Sequence, residues 1–302
     1  MGLPLPARAL TNLLMESIIG RLLATEQVVV CNYVWMVNHL HMQLYCLDST
    51  GLINFHGRLK KRLSDFLKRL LNLSHLKIWD DRTTLGEVLD IQSAIDRQVY
   101  NFLNPVRAGL ASSIDDYNGC NTWKEFLAAP AELHATIEKE VPWVIATDID
   151  PLSRRNPTLE EERRVVSDLQ RKAAGRQTNT IKIQPFRWLE AFNISDPTEI
   201  EKIRGEIVAR VRDEEAKLAP TRRSSQKVEG FIVTDEYVPP PKQRKIFMYG
   251  STREVRNAHL RVYREFIKKC RECYEVMKQG ARLIDWPPGC FIPPSPQLCN
   301  AL

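Results

Sequence analysis

Two histidines, His39 and His41, stand one residue apart in VNHLHMQLY, residues 37 to 45, among apolar and amide side chains. On a β-strand the side-chain period is two, so both imidazoles leave the same face, several ångströms apart. That spacing suits chelation of one divalent cation, with Leu40 between them anchored in the core. Two histidines leave coordination positions open for water, phosphate oxygens or a further side chain. Mg²⁺ prefers oxygen ligands, so an imidazole pair suits Mn²⁺ as well or better. Taken alone, the spacing also fits a pair of hydrogen-bonded sheet histidines that bind nothing.

A second group gives such a cation something to do. In VYNFLNPVRAGL, Tyr100 precedes Asn104 by four residues, so both fall on one helical stripe with Asp96 a turn earlier. If that stripe abuts the histidine face, the Tyr100 phenol can attack a phosphorus atom while Asn104 completes the cation site. Tyrosine titrates at about pH 10 and is a weak nucleophile at neutral pH; a metal that polarises the scissile phosphate compensates. A phosphotyrosyl ester stores bond energy for rejoining, which hydrolysis would discard. Without the histidines, Tyr100 would read as an amphipathic side chain packed at a helix end.

These residues need elements to position them. Residues 7 to 24 carry apolar side chains at helical spacing. EQVVVCNYVWMV follows, β-branched, aromatic and apolar on both faces, as a central strand is. In the next strand Leu40, Met42, Leu44 and Cys46 share one face, and His39, His41, Gln43 and Tyr45 the other. FHGRLKKRLSDFLKRLLN predicts a basic amphipathic helix with Leu59, Leu63, Phe66, Leu67 and Leu70 inward. IWDDRTT predicts a short strand or edge, and 87 to about 103 a helix that ends near Asn104 because Pro105 follows. TWKEFLAAPAELHATIEKEV predicts a further helix, and charged helical segments follow from about residue 150. Tyr263, Phe266 and Tyr274 on the last predicted helix are expected in its core-facing stripe.

The ordered set NYVWMVNHLHMQLY, basic helix, IWDDR and YNFLNPVRAGL…DDY resembles the single-tyrosine HUH transposases, and most closely the REP-associated tyrosine transposases of bacteria. The resemblance covers residues 7 to about 127. It implies an α+β fold, a ferredoxin-like antiparallel sheet with helices, plus a mainly helical C-terminal extension. By motif match, His39 and His41 would hold Mg²⁺ or Mn²⁺, with Asn104 as the third ligand. Tyr100 would be the nucleophile that becomes linked to a 5′-phosphate of single-stranded DNA. Family members recognise a DNA hairpin beside the cleavage site. Arg58, Lys60, Lys61, Arg62, Lys68 and Arg69 are the candidate DNA-binding surface, mainly through phosphate contacts that carry no sequence readout. Members usually begin with a strand before the first helix, whereas this chain begins almost at the helix, so that strand is expected to be truncated.

The implied organisation is a catalytic domain at 1–130, a helical extension at 131–218, a linker or basic arm at 219–245, and a C-terminal helix with a Pro-rich tail at 246–302. Composition agrees with a globular protein: 302 residues, 43% hydrophobic, 26% charged, with a net charge of +6 that leans toward anionic partners. Seven cysteines, an odd number in a long chain, point to free thiols and a reducing compartment. Cys270 and Cys273 form CREC inside a predicted helix, without the second close pair that most zinc patterns need. The uncharged run from Gln27 to Leu47 is long enough to cross a bilayer, but its asparagines, histidines and glutamines favour buried sheet over membrane. The expected protein is therefore cytoplasmic and nucleoid-associated, a homodimer or a monomer. Two other functions fit less of the pattern: a catalytically inactive, domesticated hairpin-DNA-binding relative, and a metal-dependent hydrolase using an activated water.

Overall fold

The computed structural model describes residues 9–36, 39–75, 79, 85–152, 158–218, 247–281, 283–290 and 292. Most of the expected IWDDR edge, the 219–245 arm and Cys299 lie outside these residues. The chain folds as α+β around a four-stranded sheet of order β2-β1-β5-β4, formed by β1 Val29–Trp35, β2 Leu40–Tyr45, β4 Ile137–Val141 and β5 Asn179–Ile183. The sheet expected to be antiparallel is mixed. Its outer pairings, β1 with β2 and β4 with β5, are antiparallel, while the central β1/β5 pairing is parallel, with Val30 opposite Ile183. The segment 131–218, expected as a helical extension, supplies two of those four strands. IEKEV, read as the end of a helix, is β4: its Ile137, Lys139, Val141 alternation has period two, and Pro130 separates it from the short helix α4 Trp123–Ala128.

Helices cover both faces. On one side α1 Ala9–Leu23, α2 Ser49–Leu70 and α5 Leu159–Ala173 bury Ile18, Leu63, Phe66 and Leu169 against Val30, Tyr33, Trp35 and Ile181. On the other, α3 Ile91–Arg107 and α6 Pro197–Leu218 bury Phe102, Leu103, Ile203 and Ile207 with Val34, Met36 and Phe126. The alternation read in β2 holds: Leu40, Met42, Leu44 and Cys46 pack on the α2 side, and Tyr45 on the α3 side. In β1 the register slips between Val30 and Asn32, a bulge at Cys31. The extra residue lets both Cys31 and Asn32 turn toward α3, since Cys31 packs among the α3 residues and Asn32 bonds to them.

The tyrosine helix does not end at Asn104. It runs to Arg107 with Pro105 inside its last turn, where Ala108 N–H donates to the Asn104 carbonyl (2.9 Å) and Leu110 N–H to that of Pro105 (2.8 Å). The missing Pro105 donor costs only the bond to the Asn101 carbonyl, and the helical bonding carries on beyond it. Its N-terminus is capped by Asp90, whose Oδ1 accepts from Ser93 N–H at 2.8 Å. After α6 the described chain resumes at β6 Met248–Tyr249, which pairs in parallel with β3 Glu87–Val88, and continues into α7 Arg253–Lys278. Helix α7 buries none of its residues, so Tyr263 and Tyr274, expected in a core, are 42% and 40% exposed. No described helix is long and apolar enough to cross a membrane, and the Gln27–Leu47 run forms the β1/β2 hairpin.

Candidate active site

The histidines lie at the start of β2, His41 within the strand and His39 just before it. Met36 N–H donates to the His39 carbonyl (2.7 Å) and closes the hairpin, and Val34 lies opposite His41 in the register. The two imidazole rings stand edge to face with centroids 4.7 Å apart. Tyr100, on α3, meets His41 in the same manner at 5.6 Å. The sheet thus brings His39, His41 and Tyr100 into one continuous contact from two elements more than fifty residues apart in sequence.

A buried amide network fixes α3 on the sheet. Asn32, fully buried, donates from Nδ2 to Gln98 Oε1, and its Oδ1 accepts from Asn101 Nδ2 at 2.9 Å. Gln98 and Asn101 face β1 while Val99, Phe102 and Leu103 fill the core, which sets the rotation of the helix and aims Tyr100 toward β2. Around this network four buried polar atoms have no hydrogen-bond partner among the described residues: His41 Nε2, Gln43 Oε1, Gln98 Nε2 and Asn104 Nδ2. Buried polar atoms are nearly always paired, so an unpaired imidazole nitrogen beside a second imidazole is where a cation or a substrate oxygen would be accommodated.

Burial is the main reason the His41 pKa falls from 6.5 to about 4, with the His39 ring and the Arg97 guanidinium adding to it. The His39 pKa is also lowered, first by desolvation. Neutral imidazoles are the form that binds metals. The donor chemistry therefore fits a divalent cation on His39 and His41, with remaining positions open to oxygen. Asn104, one turn beyond Tyr100, is buried and can offer its carboxamide. Among the described residues no group of three or more His, Cys, Asp and Glu side chains could hold a metal.

Tyr100 also borders a cleft of about 430 Å³ between α3 and α6, lined by Asp96, Arg97, Arg107, Arg210, Glu214 and Lys217 among others. The Arg97 and Arg107 guanidiniums lie 4.7 and 5.7 Å from the Tyr100 ring centroid. Sequence reasoning missed both arginines, although Arg97 is three residues before Tyr100 and Arg107 seven after it, helical spacings that share its face. Asp96, read on the tyrosine stripe, is engaged by Arg210 at 2.6 Å.

The basic residues of α2 lie elsewhere. Helix α2 packs on the sheet face opposite α3, so its charged side and Tyr100 are separated by the sheet. Several of its cations are already engaged. Arg58 pairs with Glu26 (2.5 Å), Arg69 Nε donates to the Ile149 carbonyl (3.0 Å), and Lys60 Nζ sits 5.4 Å above the Trp79 ring. Burial and the neighbouring Arg58 lower the Arg62 pKa. Lys61 is exposed and Lys68 half-exposed. No family model, curated protein or solved structure matches this chain.

Proposed function

We propose that the chain is a metal-dependent DNA strand transferase of the single-tyrosine HUH transposase kind, which cleaves and rejoins single-stranded DNA through a 5′-phosphotyrosine on Tyr100. The observation that carries this reading is the ring contact His39–His41–Tyr100, which joins two imidazoles to one phenol. The α+β architecture is compatible with this reading, while the parallel β1/β5 pairing departs from a fully antiparallel ferredoxin-like sheet. Mg²⁺ or Mn²⁺ held by His39, His41 and Asn104 would polarise the scissile phosphate and offset the weak nucleophilicity of a phenol.

The chain's own residues do the rest. Strand β2 carries His41, with His39 immediately before it, and the Asn32–Gln98–Asn101 network holds α3 so that Tyr100 faces His41. Helix α3 keeps the phenol on a fixed element, which is what near-attack geometry requires. The hairpin partner, a homodimeric or monomeric state and a cytoplasmic, nucleoid-associated location belong to the same proposal.

The test is incubation of the full chain with Mn²⁺ or Mg²⁺ and end-labelled single-stranded hairpin DNA, followed by denaturing electrophoresis. Wild type is expected to form an adduct that survives denaturation. Tyr100→Phe should bind the DNA and form none, and His41→Ala should lose metal-dependent adduct formation. An adduct formed by Tyr100→Phe removes the nucleophile from this reading. Binding with no wild-type adduct leaves a hairpin-binding relative, and cleavage without an adduct leaves a hydrolase.

A further inference from the structure

The cations around Tyr100 are not equivalent. Arg210 is held by Asp96 (2.6 Å) and Glu206 (3.4 Å), Arg107 by Glu214 (3.6 Å), and Lys217 by Glu214 (2.8 Å). Arg97 meets no carboxylate among the described residues. Its guanidinium lies between two phenol rings, 4.7 Å from the centroid of Tyr100 and 4.7 Å from that of Tyr249. A cation–π contact leaves the N–H donors of a guanidinium available to an oxyanion.

Tyr249 comes from far along the chain and is firmly seated. Glu87 N–H donates to the Phe247 carbonyl (3.0 Å), and Leu89 N–H to that of Tyr249 (2.9 Å). Ser251 N–H donates to Asp90 Oδ2 at 2.7 Å, on the same carboxylate that caps α3. Burial pushes the Asp90 pKa up, but the Ser251 and Ser93 donors outweigh it and hold it below the usual value. The Tyr249 ring lies on Gly86, where a Cβ would come within 2.4 Å of it. The strand pairing, the shared cap and the missing side chain at 86 together place one ring against one guanidinium.

We propose that Arg97 is a contact for the scissile phosphodiester, and that Tyr249 is the positioning residue that holds the Arg97 guanidinium beside Tyr100. This rests on the strand-transfer reading. In the step, the Tyr100 oxygen forms a bond to phosphorus as the bond from phosphorus to the 3′ oxygen breaks. The phenol proton ends, through solvent, on the departing 3′ oxygen, so charge and atoms balance. Arg97 donates to the non-bridging oxygens on which charge accumulates.

The experiment measures the single-turnover rate of adduct formation at saturating hairpin DNA with Mn²⁺. It also measures DNA affinity against salt, for wild type, R97A, R97K, Y249A, Y249F and R97A/Y249A, with thermal melts as the folding control. R97A is expected to slow adduct formation about 100-fold. R97K should recover little of that, because an ammonium lacks the planar fork. Y249A should slow it ~3- to 30-fold, the range of a cation–π contact, and Y249F, which keeps the ring, should match wild type. R97A/Y249A should be no slower than R97A, because the tyrosine acts through the arginine. R97A should also make the log–log salt slope of binding shallower by roughly 0.7–0.9. An R97A rate within twofold of wild type with an unchanged slope overturns the proposal. So do Y249F falling with Y249A, or multiplicative effects in the double variant. If wild type binds DNA but forms no adduct, the strand-transfer reading fails on its own, and the salt slope of R97A decides whether Arg97 meets a phosphate. Absence of DNA binding by wild type overturns both.

Discussion

Replacing Asn32 by alanine tests whether the amide network holds the tyrosine helix on the sheet. Asn32 is fully buried in the central strand β1 and bonds to both Gln98 and Asn101. Alanine removes both hydrogen bonds and strands two amide groups beside Gln98 Nε2, which already lacks a partner. Each of the two stranded buried groups costs ~1–3 kcal/mol, so the loss is about 2–6 kcal/mol. Urea unfolding followed by far-UV circular dichroism reads this as a midpoint lowered by roughly 1–3 M for a slope of ~2 kcal/mol/M. Thr136→Ala, at an exposed hydroxyl, is the control and should stay within about 0.5 kcal/mol of wild type. The rate of adduct formation by N32A, assayed well below its unfolding midpoint, should also fall, because α3 loses the bonds that set its rotation. An N32A loss of under ~0.5 kcal/mol would refute the reasoning, since the network would then be incidental to the docking of α3.

Gly86→Ala should displace the Tyr249 ring and slow adduct formation to the Y249A level, read in the single-turnover assay. His41, neutral in the fold with a pKa of about 4 against 6.5 when unfolded, is protonated first in the unfolded chain. Metal-free stability should therefore fall as the pH drops from about 6.5 to about 4, by at most ~3 kcal/mol and by less given partial exposure; His41→Gln should flatten that part of a stability–pH curve. On α2, Lys61→Ala with Lys68→Ala should weaken hairpin binding in low salt and make the salt slope shallower by about 1.4–1.8, measured by fluorescence anisotropy. Arg58→Ala and Arg69→Ala should change it less, because Glu26 and the Ile149 carbonyl already hold those side chains.

Much of the site was legible because it depends on local periods. The alternation in VNHLHMQLY assigns the histidines to one face of a strand, and the i to i+4 spacing aligns Tyr100 with Asn104. The strand is present from Leu40 with its apolar face turned as expected, and the helix brings Tyr100 against His41. What the sequence hid is non-local. The parallel partner of β1 is NTIKI, a five-residue run whose strand character shows only once it pairs with β4 and β1. IEKEV looked helical because its charged residues are as common in helices as on exposed strands. The stop at Pro105 was overestimated, since a proline in a last turn forfeits a single bond and the helix continues to Arg107. Tyr249 could not be linked to Arg97 from sequence, because a two-residue pairing across more than 150 residues leaves no pattern of its own.

The parallel pairing of β1 with β5 has a consequence for biosynthesis. The inner edge of VVCNYVW is covered late and in two stages: Tyr33 and Trp35 bond there to Thr122 and Cys120, whereas the Val30 end stays open until residues 183 and 184 have left the ribosome. An apolar, uncharged strand with a bare edge is the kind of segment that pairs with other chains. The Val30 end would stay in such a stage for about half of the chain's synthesis, so translation speed and chaperone occupancy should affect the yield of folded protein more than equilibrium stability does.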